Sequence, residues 1–258
     1  MRSFCVQQPT RESLWLFFAF IVLLVLRPAD VFAQAANAGT VREVSGTVQL
    51  QRGAATIPVT PGMPVEVGDR IITGDNGHAV VLLTDQSTLE LSDSSNVVIT
   101  QHAGAATQVN LAGGVVRSLV NRTVGAAAPN FEVHTPNAVA AARGTLFDTA
   151  FTSNVSRPTF GNAHSFTDVS VYDGSVDVAN AANPTVFTNV PAGYESTVAG
   201  TNNATSPGPL GMTGATAFSG PGSSGNITPV STVPPPSCPV CVGPSMGPST
   251  TTPPASGK

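Results

Sequence analysis

Hydrophobic and polar residues alternate in short runs along the chain beyond residue 33, and none of these runs keeps a helical period. Val48 and Leu50 belong to one such run, and Val169 and Val171 belong to another. Alternation with a period of two is typical of half-buried β-strands. Gly, Asp, Asn and Ser, which favour turns, separate the runs, and strands start roughly every 8–10 residues. The pattern predicts an all-β domain of many short strands.

Short, evenly spaced strands favour a coil that resembles a β-helix or solenoid, and a β-sandwich or barrel is the alternative. The most regular part of the chain predicts four strands, at Arg70–Ile72, His78–Leu83, Thr88–Leu91 and Asn96–Ile99. Asp173-Gly174, between alternating flanks, predicts a β-hairpin with a two-residue turn.

Other stretches of the chain have a less regular hydrophobic pattern. Residues 57–64 carry three prolines and predict at most an edge strand. No strand is assigned to the polar residues 101–110, and residues 153–166 predict an exposed loop. The small residues 137–142 are expected to form a tight crossing between strands at 131–134 and 145–151.

The N-terminal residues 1–33 predict a signal peptide, which is excluded from the fold. Arg2 and Arg11 precede the apolar run Leu14–Leu26, and Val31-Phe32-Ala33 offers small residues for cleavage before Gln34. The run is shorter than the roughly 20 apolar residues of a membrane helix. We therefore expect an exported protein, periplasmic or secreted to the cell surface. If the signal stays uncleaved, that segment is the only expected membrane contact.

The C-terminal residues 200–258 predict a disordered tail rich in Pro, Gly, Ser and Thr. This boundary leaves one domain, over residues 37–199. Cys238 and Cys241 lie in the tail, where an oxidising compartment can join them in a local disulfide, although free thiols are equally compatible. The pair lacks the βαβ setting of a redox motif and the second pair of a zinc site.

Charge and aromatic content exclude some partners. From Gln34 onward the chain has 8 basic and 13 acidic residues, a formal charge of −5, and no basic cluster. This composition argues against nucleic acid as a partner. Trp15 lies in the signal, so the exported chain has no Trp on which a base or sugar could stack.

Several ordered motifs resemble those of the FecR domain family, and together they cover nearly all of residues 41–198. Gly68–Gly74 resembles the G-D-x-I-x-T-G turn, and Asp85-Gln86-Ser87 resembles a D-G-S turn in which Gln86 replaces the usual Gly. Residues 131–147 resemble F-x-V-x-T-P-x-A followed by V-x-G-T-x-F. The residues that carry the resemblance are Gly68, Asp69, Gly74, Gly114, Phe131, Thr135, Pro136, Arg143, Gly144, Thr145, Phe147 and Gly174.

The resemblance implies an all-β module on the outer side of the inner membrane. Sensor members of the family pass ligand status from an outer-membrane receptor to a sigma factor, using an N-terminal cytoplasmic anti-sigma segment and a membrane helix. Few residues precede the apolar run here, and a Pro-rich tail follows the domain. We therefore expect a stand-alone, secreted FecR-like protein without the anti-sigma segment.

We interpret the candidate site residues in the sequence as structural. Arg143 could bind an anion or a partner carboxylate, but an Arg beside a turn Gly more often bonds backbone carbonyls. His134 is expected to face solvent from a strand. The turn residues Asp69, Asp75, Asp85 and Asp93 could line up as a Ca²⁺ ladder, but turn capping is the favoured interpretation. No catalytic residue, cofactor site or metal site is predicted.

Three functions remain open. The first is a non-catalytic module that binds an envelope or cell-surface protein or relays a signal, with edge strands as the contact surface. The second is a structural component of the cell surface with the tail as a spacer. The third is a carbohydrate-active β-solenoid enzyme, which would need paired carboxylates in one groove.

Overall fold

The computed structural model of the protein describes residues 36–103, 106–122 and 130–211. The predicted signal peptide, Cys238, Cys241 and residues 212–258 of the tail lie outside these residues. Within the described ranges the chain is almost entirely strand, so the all-β prediction is confirmed. No helix there has the length and apolar content needed to cross a bilayer.

Seventeen strands form the described part of the molecule, with one 3-10 turn at Pro158–Phe160. In chain order the strands are β1 Asn37–Ser45, β2 Val48–Arg52, β3 Ala55–Pro58, β4 Pro64–Glu66, β5 Arg70–Thr73, β6 His78–Leu83, β7 Thr88–Leu91, β8 Asn96–Ala103, β9 Ala106–Leu119, β10 Phe131–His134, β11 Ala138–Ala142, β12 Leu146–Ser153, β13 Ser165–Asp173, β14 Ser175–Asn180, β15 Asn183–Pro191, β16 Tyr194–Ala199 and β17 Gly208–Pro209.

All seventeen strands belong to one hydrogen-bonded network, which β9 divides into two layers. Up to Gly113, β9 pairs with β8 and β10; from Gly114 onward it pairs with β7 and β12. Layer A has the order β4-β1-β6-β7-β9-β12-β13-β16-β17. Layer B has the order β3-β2-β5-β8-β9-β10-β11-β14-β15.

The two layers face each other across one hydrophobic core. Phe131 of layer B packs edge-to-face on Phe147 of layer A, with ring centroids 6.4 Å apart. Buried residues of both layers belong to a single apolar cluster. The Thr135 and Thr167 hydroxyls also meet across the layers, 2.7 Å apart. Strands such as β5, β10 and β11 bury alternate residues, as the period-two pattern requires, whereas β12 and β16 bury consecutive residues.

The chain winds between the layers, but it does not form a β-helix. It leaves one layer after a single strand or a hairpin and continues in the other. Neighbouring strands within a layer are antiparallel, and among the described strands only β9 and β10 pair in parallel. A β-helix stacks successive coils in parallel, so the β-helix-like preference is not what the structure shows. The folded arrangement is closer to the sandwich alternative.

The hairpin predicted at Asp173-Gly174 is wrong. β13 pairs with β12 and β16 in layer A, whereas β14 pairs with β11 and β15 in layer B. Gly174, at φ 80°, is a corner between layers. A Cβ there would lie 3.0 Å from the Gly144 carbonyl oxygen, so two layer crossings pack against each other. Sequence alternation on both sides of a turn does not show that the two flanks pair.

Two stretches without a predicted strand are in fact strands. Residues 101–103 complete β8 and residues 106–110 begin β9, where buried Thr107 and Val109 alternate with outward-facing Gln108 and Asn110. Because the buried Thr107 is polar, the sequence did not show this alternation of buried and exposed positions. The small residues 137–142 contain β11, which forms a hairpin with β10. Alanine has a low β-propensity, but at the centre of layer B the neighbouring strands impose the conformation.

The domain extends beyond the predicted boundary at residue 199. Glu195 pairs with Gly208 as β17 joins β16, and Thr205 Oγ1 accepts a hydrogen bond from the Thr197 backbone N–H at 3.0 Å. The Asn180 side chain also donates to the Asn202 carbonyl at 2.8 Å. Residues 200–211 therefore lie along the end of layer A. The polar composition of these residues predicted disorder, because composition does not show contacts that backbone groups and small hydroxyls make.

The bend of β9 between the layers depends on Gly114. Its φ is 83°, and a Cβ would lie 2.5 Å from Ser95 Cα and 2.7 Å from the Ser94 carbonyl oxygen. Ser95 is buried, and its hydroxyl donates to the Val115 carbonyl and accepts from the Val115 N–H, both at 3.0 Å. This close approach leaves no room for a side chain at Gly114.

We expect Gly114→Ala to lower the free energy of unfolding by about 2–4 kcal/mol, because a left-handed Ala costs about 1–2 kcal/mol and the clash adds to it. The melting temperature should fall by roughly 5–15 °C. Gly113→Ala is the matched control, because its Cβ would enter open space. Equal melting temperatures for the two variants would contradict this role of Gly114.

Candidate functional site

The residues that carry the family resemblance hold the fold together and do not gather in one pocket. All five of its glycines lie where the chain changes layer: Gly68, Gly74, Gly114, Gly144 and Gly174. Phe131 and Phe147 fill the core, and Arg143 is exposed at the β11–β12 corner. These positions favour structure over ligand binding for the set.

Two threonines among the residues that carry the resemblance, Thr135 and Thr145, form hydrogen bonds at corners of the chain. Thr135 Oγ1 accepts from the Ala138 N–H at 2.9 Å and donates to the Ala138 carbonyl, which closes the β10–β11 turn around exposed Pro136. The buried Thr145 hydroxyl donates to the Ser175 carbonyl at 3.1 Å. This bond joins two corners that are 30 residues apart in sequence.

Asp69 is buried and receives a bidentate contact from Arg52. Arg52 Nε lies 2.8 Å from Asp69 Oδ1, and Nη2 lies 2.6 Å from Oδ2. The Glu66 N–H donates to the same carboxylate at 2.7 Å, and Glu66 itself contacts Arg52 Nη1 at 2.9 Å. The hydrogen bond to Asp69 raises the pKa of Arg52. Asp69 therefore fixes the β4–β5 corner.

Two further buried aspartates are held by arginines in the same way. Arg117 donates to both oxygens of Asp148, at 2.8 and 3.0 Å, and Tyr172 O–H donates to Oδ2 at 2.8 Å. Arg157 donates to both oxygens of Asp168, at 2.8 and 2.7 Å. Burial, with the nearby Asp148 charge, raises the pKa of Tyr172 to about 12. Sequence reasoning missed these pairs, because partners lie 31 and 11 residues apart.

We expect Arg157→Ala to lower the free energy of unfolding by about 3 kcal/mol, because it leaves Asp168 as an uncompensated buried charge. The Arg157 guanidinium also stacks on Phe166, 4.5 Å from the ring centroid, and holds residues 153–166 onto layer A. Urea unfolding of the purified chain measures the loss. Arg42→Ala, at an exposed Arg, is the control. A loss no larger than that of the control would show that this pair contributes little.

Asp85 caps its own turn as predicted, whereas Asp75 bonds a hydroxyl in a different turn. Asp85 Oδ1 accepts from the Ser87 N–H at 2.9 Å, and Asp75 Oδ1 accepts from the Ser94 hydroxyl at 3.1 Å. Among the described residues, no group of three His, Cys, Asp or Glu side chains could hold a metal ion. The Ca²⁺ ladder therefore has no support in this part of the chain.

Gln86 has a left-handed backbone, at φ 68°, at the position where the family pattern has Gly. It is exposed in the turn between β6 and β7, and its N–H donates to the Leu83 carbonyl at 3.0 Å. A residue with a Cβ is strained in this region, whereas Gly is not. Gln86 therefore differs from the family pattern in residue type, but its backbone has the left-handed conformation that Gly favours.

We expect Gln86→Gly to raise the free energy of unfolding by about 0.5–1 kcal/mol, because relief of left-handed strain exceeds the entropy cost of Gly. Thermal melting should show an increase of roughly 1–4 °C. Gln86→Ala, which keeps the Cβ, should give no gain. A gain as large for Ala as for Gly would mean that the Gln side chain, and not the backbone, is unfavourable.

Strand β15 forms an open edge of layer B. Among the described strands it pairs with β14 alone, and most of its nine residues are exposed. Val186 is 47% exposed and Phe187 is 60% exposed. β15 has no charged residue, and its only edge protection is Pro184 and Pro191 near its two ends. Its middle residues can accept another strand.

The opposite edge of layer B is less suited to a partner. β3 has four residues and ends at Pro58, and the loop that follows contains Pro61. In layer A, β4 lies beside the start of β1, and β17 lies beside β16. Among the described edges, β15 therefore offers the longest uncharged strand.

The outer face of layer B also carries two concavities, one of about 360 Å³ and one of about 120 Å³. Both are lined by Gln108. His134, predicted to face solvent, is half-buried at the larger one and bonds Glu132 Oε2 at 2.7 Å. The other three histidines line neither concavity: His78 bonds Glu90 at 3.0 Å, His102 bonds Thr107 at 2.9 Å, and His164 is exposed.

Comparison with known proteins finds a family that matches part of the chain. Residues 69–177 match the family model described as FecR protein. Residues 69–177 therefore resemble a FecR domain. The matched FecR region runs from the β4–β5 corner into β14 and includes the β9 bend.

Solved structures add a weaker likeness. Two crystal structures of a candidate anti-sigma factor from Parabacteroides distasonis, at 1.65 and 2.50 Å resolution, are 20% identical to the chain with a TM-score of 0.41. The alignment covers 53% of this chain and 59% of the other, so the chain spans about three-fifths of the length of those proteins. No curated protein matches this chain.

Proposed function

We propose that this protein is an exported, non-catalytic FecR-domain module that binds another protein of the cell envelope and relays a signal through that contact. The match of residues 69–177 to the FecR family carries the proposal. The basic residues and apolar run of the first 33 residues support export. The structural use of its buried aspartates supports a non-catalytic role, because each carboxylate is held by an arginine.

The open edge of β15 supplies the contact in this proposal. An edge strand presents a row of backbone N–H and C=O groups, and an extended segment of a partner can add to the sheet by pairing with them. Main-chain pairing gives affinity, and the exposed Val186 and Phe187 side chains give the partner apolar surface. The absence of charge on β15 removes the usual obstacle to such pairing.

We expect the double variant Val186→Lys/Phe187→Lys to lose at least tenfold of the partner captured by the full chain. Two lysines on an edge strand oppose strand addition, because the ammonium groups must be desolvated. The measurement is affinity capture from the envelope of the native host after mild cross-linking. Quantitative mass spectrometry then compares the variants.

Leu119→Lys is the matched control. Leu119 is also an exposed apolar strand residue, at 52%, but β9 is paired on both sides there. Capture should be unchanged in this variant, and both proteins should melt within about 2 °C of the parent. Capture that survives the double substitution would rule out β15 as the contact. No specific capture by the parent chain would overturn the protein-binding function itself.

A further inference from the structure

The outer face of layer B carries a band of polar side chains across three neighbouring strands. Strand register places Gln108 of β9 opposite Gln101 of β8 and Glu132 of β10. Asn110 of β9 lies opposite His134 of β10. Their neighbours in sequence, Val109 and Val133 among them, point into the core, so all five polar side chains project from the same face.

This band borders a concavity, which distinguishes it from an ordinary solvated sheet face. Gln108, Asn110 and His134 line the cavity of about 360 Å³, with Pro136 at its rim. Gln101, Gln108 and Glu132 line the adjoining cavity of about 120 Å³. The larger volume lies in the range of small-ligand sites, roughly 300–1,000 Å³. Farther along layer B the outward positions Val139 and Ala141 are apolar, so the polar band is local.

The lining selects the chemistry of a ligand. Amide side chains offer both donors and acceptors, and the Glu132 carboxylate adds acceptors. Its contact with the His134 ring, at 2.7 Å, orients both groups. No Lys, Arg, Phe, Tyr or Trp is among the described residues that line either cavity. Phosphates and other anions therefore find no lysine or arginine in the lining, and nucleic-acid bases find no aromatic stacking surface there.

We propose that this groove binds a neutral, hydroxyl-rich ligand, namely an oligosaccharide such as a stretch of an envelope glycan. Each sugar hydroxyl can donate and accept, which matches paired amide and carboxylate groups. The small apolar surface of Pro136 and Ala112 faces the less polar side of a sugar ring. Glu132 acts here as a hydrogen-bond acceptor and not as a catalyst. The site is separate from the β15 edge and does not depend on the partner proposed there.

The test measures binding of chitotetraose, cellotetraose and maltotetraose to the purified exported chain, by saturation-transfer NMR and calorimetry. A neutral Gly/Ala tetrapeptide and inorganic phosphate are the competing probes. We expect saturable binding of at least one tetrasaccharide, with affinity reduced about tenfold or more in Gln108→Ala/Asn110→Ala, because several hydrogen bonds are lost.

Gln49→Ala is the control, because Gln49 is an exposed outward Gln of the same layer that lines neither cavity. Its affinity should equal that of the parent, and all variants should keep the parent's melting temperature. Three outcomes would overturn the proposal: no tetrasaccharide binds at millimolar concentration, binding is unchanged in the double variant, or the tetrapeptide or phosphate binds while the sugars do not.

Discussion

The fold depends on the close approach of Gly114 to Ser94 and Ser95, because this contact lets β9 belong to both layers. Before the bend, β9 pairs with β8 and β10; beyond it, with β7 and β12. If β9 stayed straight, one of these two sets of pairings would be lost. Most other crossings among the described residues also place glycine at the corner, as at Gly174, whereas the crossing from β7 to β8 uses Ser94, at φ 50°. Glycine spacing therefore sets the winding of the chain between layers.

Three contacts between an arginine and a buried aspartate stabilise this winding. Arg52, Arg117 and Arg157 each hold a buried aspartate with two hydrogen bonds. The geometry is bidentate, which suits a planar guanidinium and a carboxylate and which lysine cannot reproduce. The arginines remain partly exposed, so the pairs gain attraction without burying two charges completely.

Two surfaces of layer B remain for function, and they differ in chemistry. The β15 edge, which pairs with β14 alone among the described strands, carries exposed Val186 and Phe187 and no charge, which suits another polypeptide strand. The polar groove between β8 and β10 presents amide side chains around a concavity, which suits a small hydroxyl-rich ligand. In our two proposals, the edge binds a protein and the groove binds a glycan.

The sequence alone determined the strand content and the family. His78–Leu83, Thr88–Leu91 and Phe131–His134 were predicted with the bounds that the structure has, because local alternation and turn residues act within a few positions. The motifs around Gly68 and Gly144 identified the FecR domain for the same reason, since each motif is a local backbone requirement. Gln86 shows the limit of such motifs, because its backbone kept the left-handed conformation that the pattern assigns to Gly.

Only the tertiary structure decided which strands pair. The flanks of Asp173-Gly174 look like a hairpin but join different layers, and β9 joins both. It also decided the partners of the buried aspartates and the ordered path of residues 200–211. Pairing, burial of charge and open edges all depend on residues distant in sequence. Alternation fixes which side of a strand is apolar, but it carries no information about the strand that lies beside it.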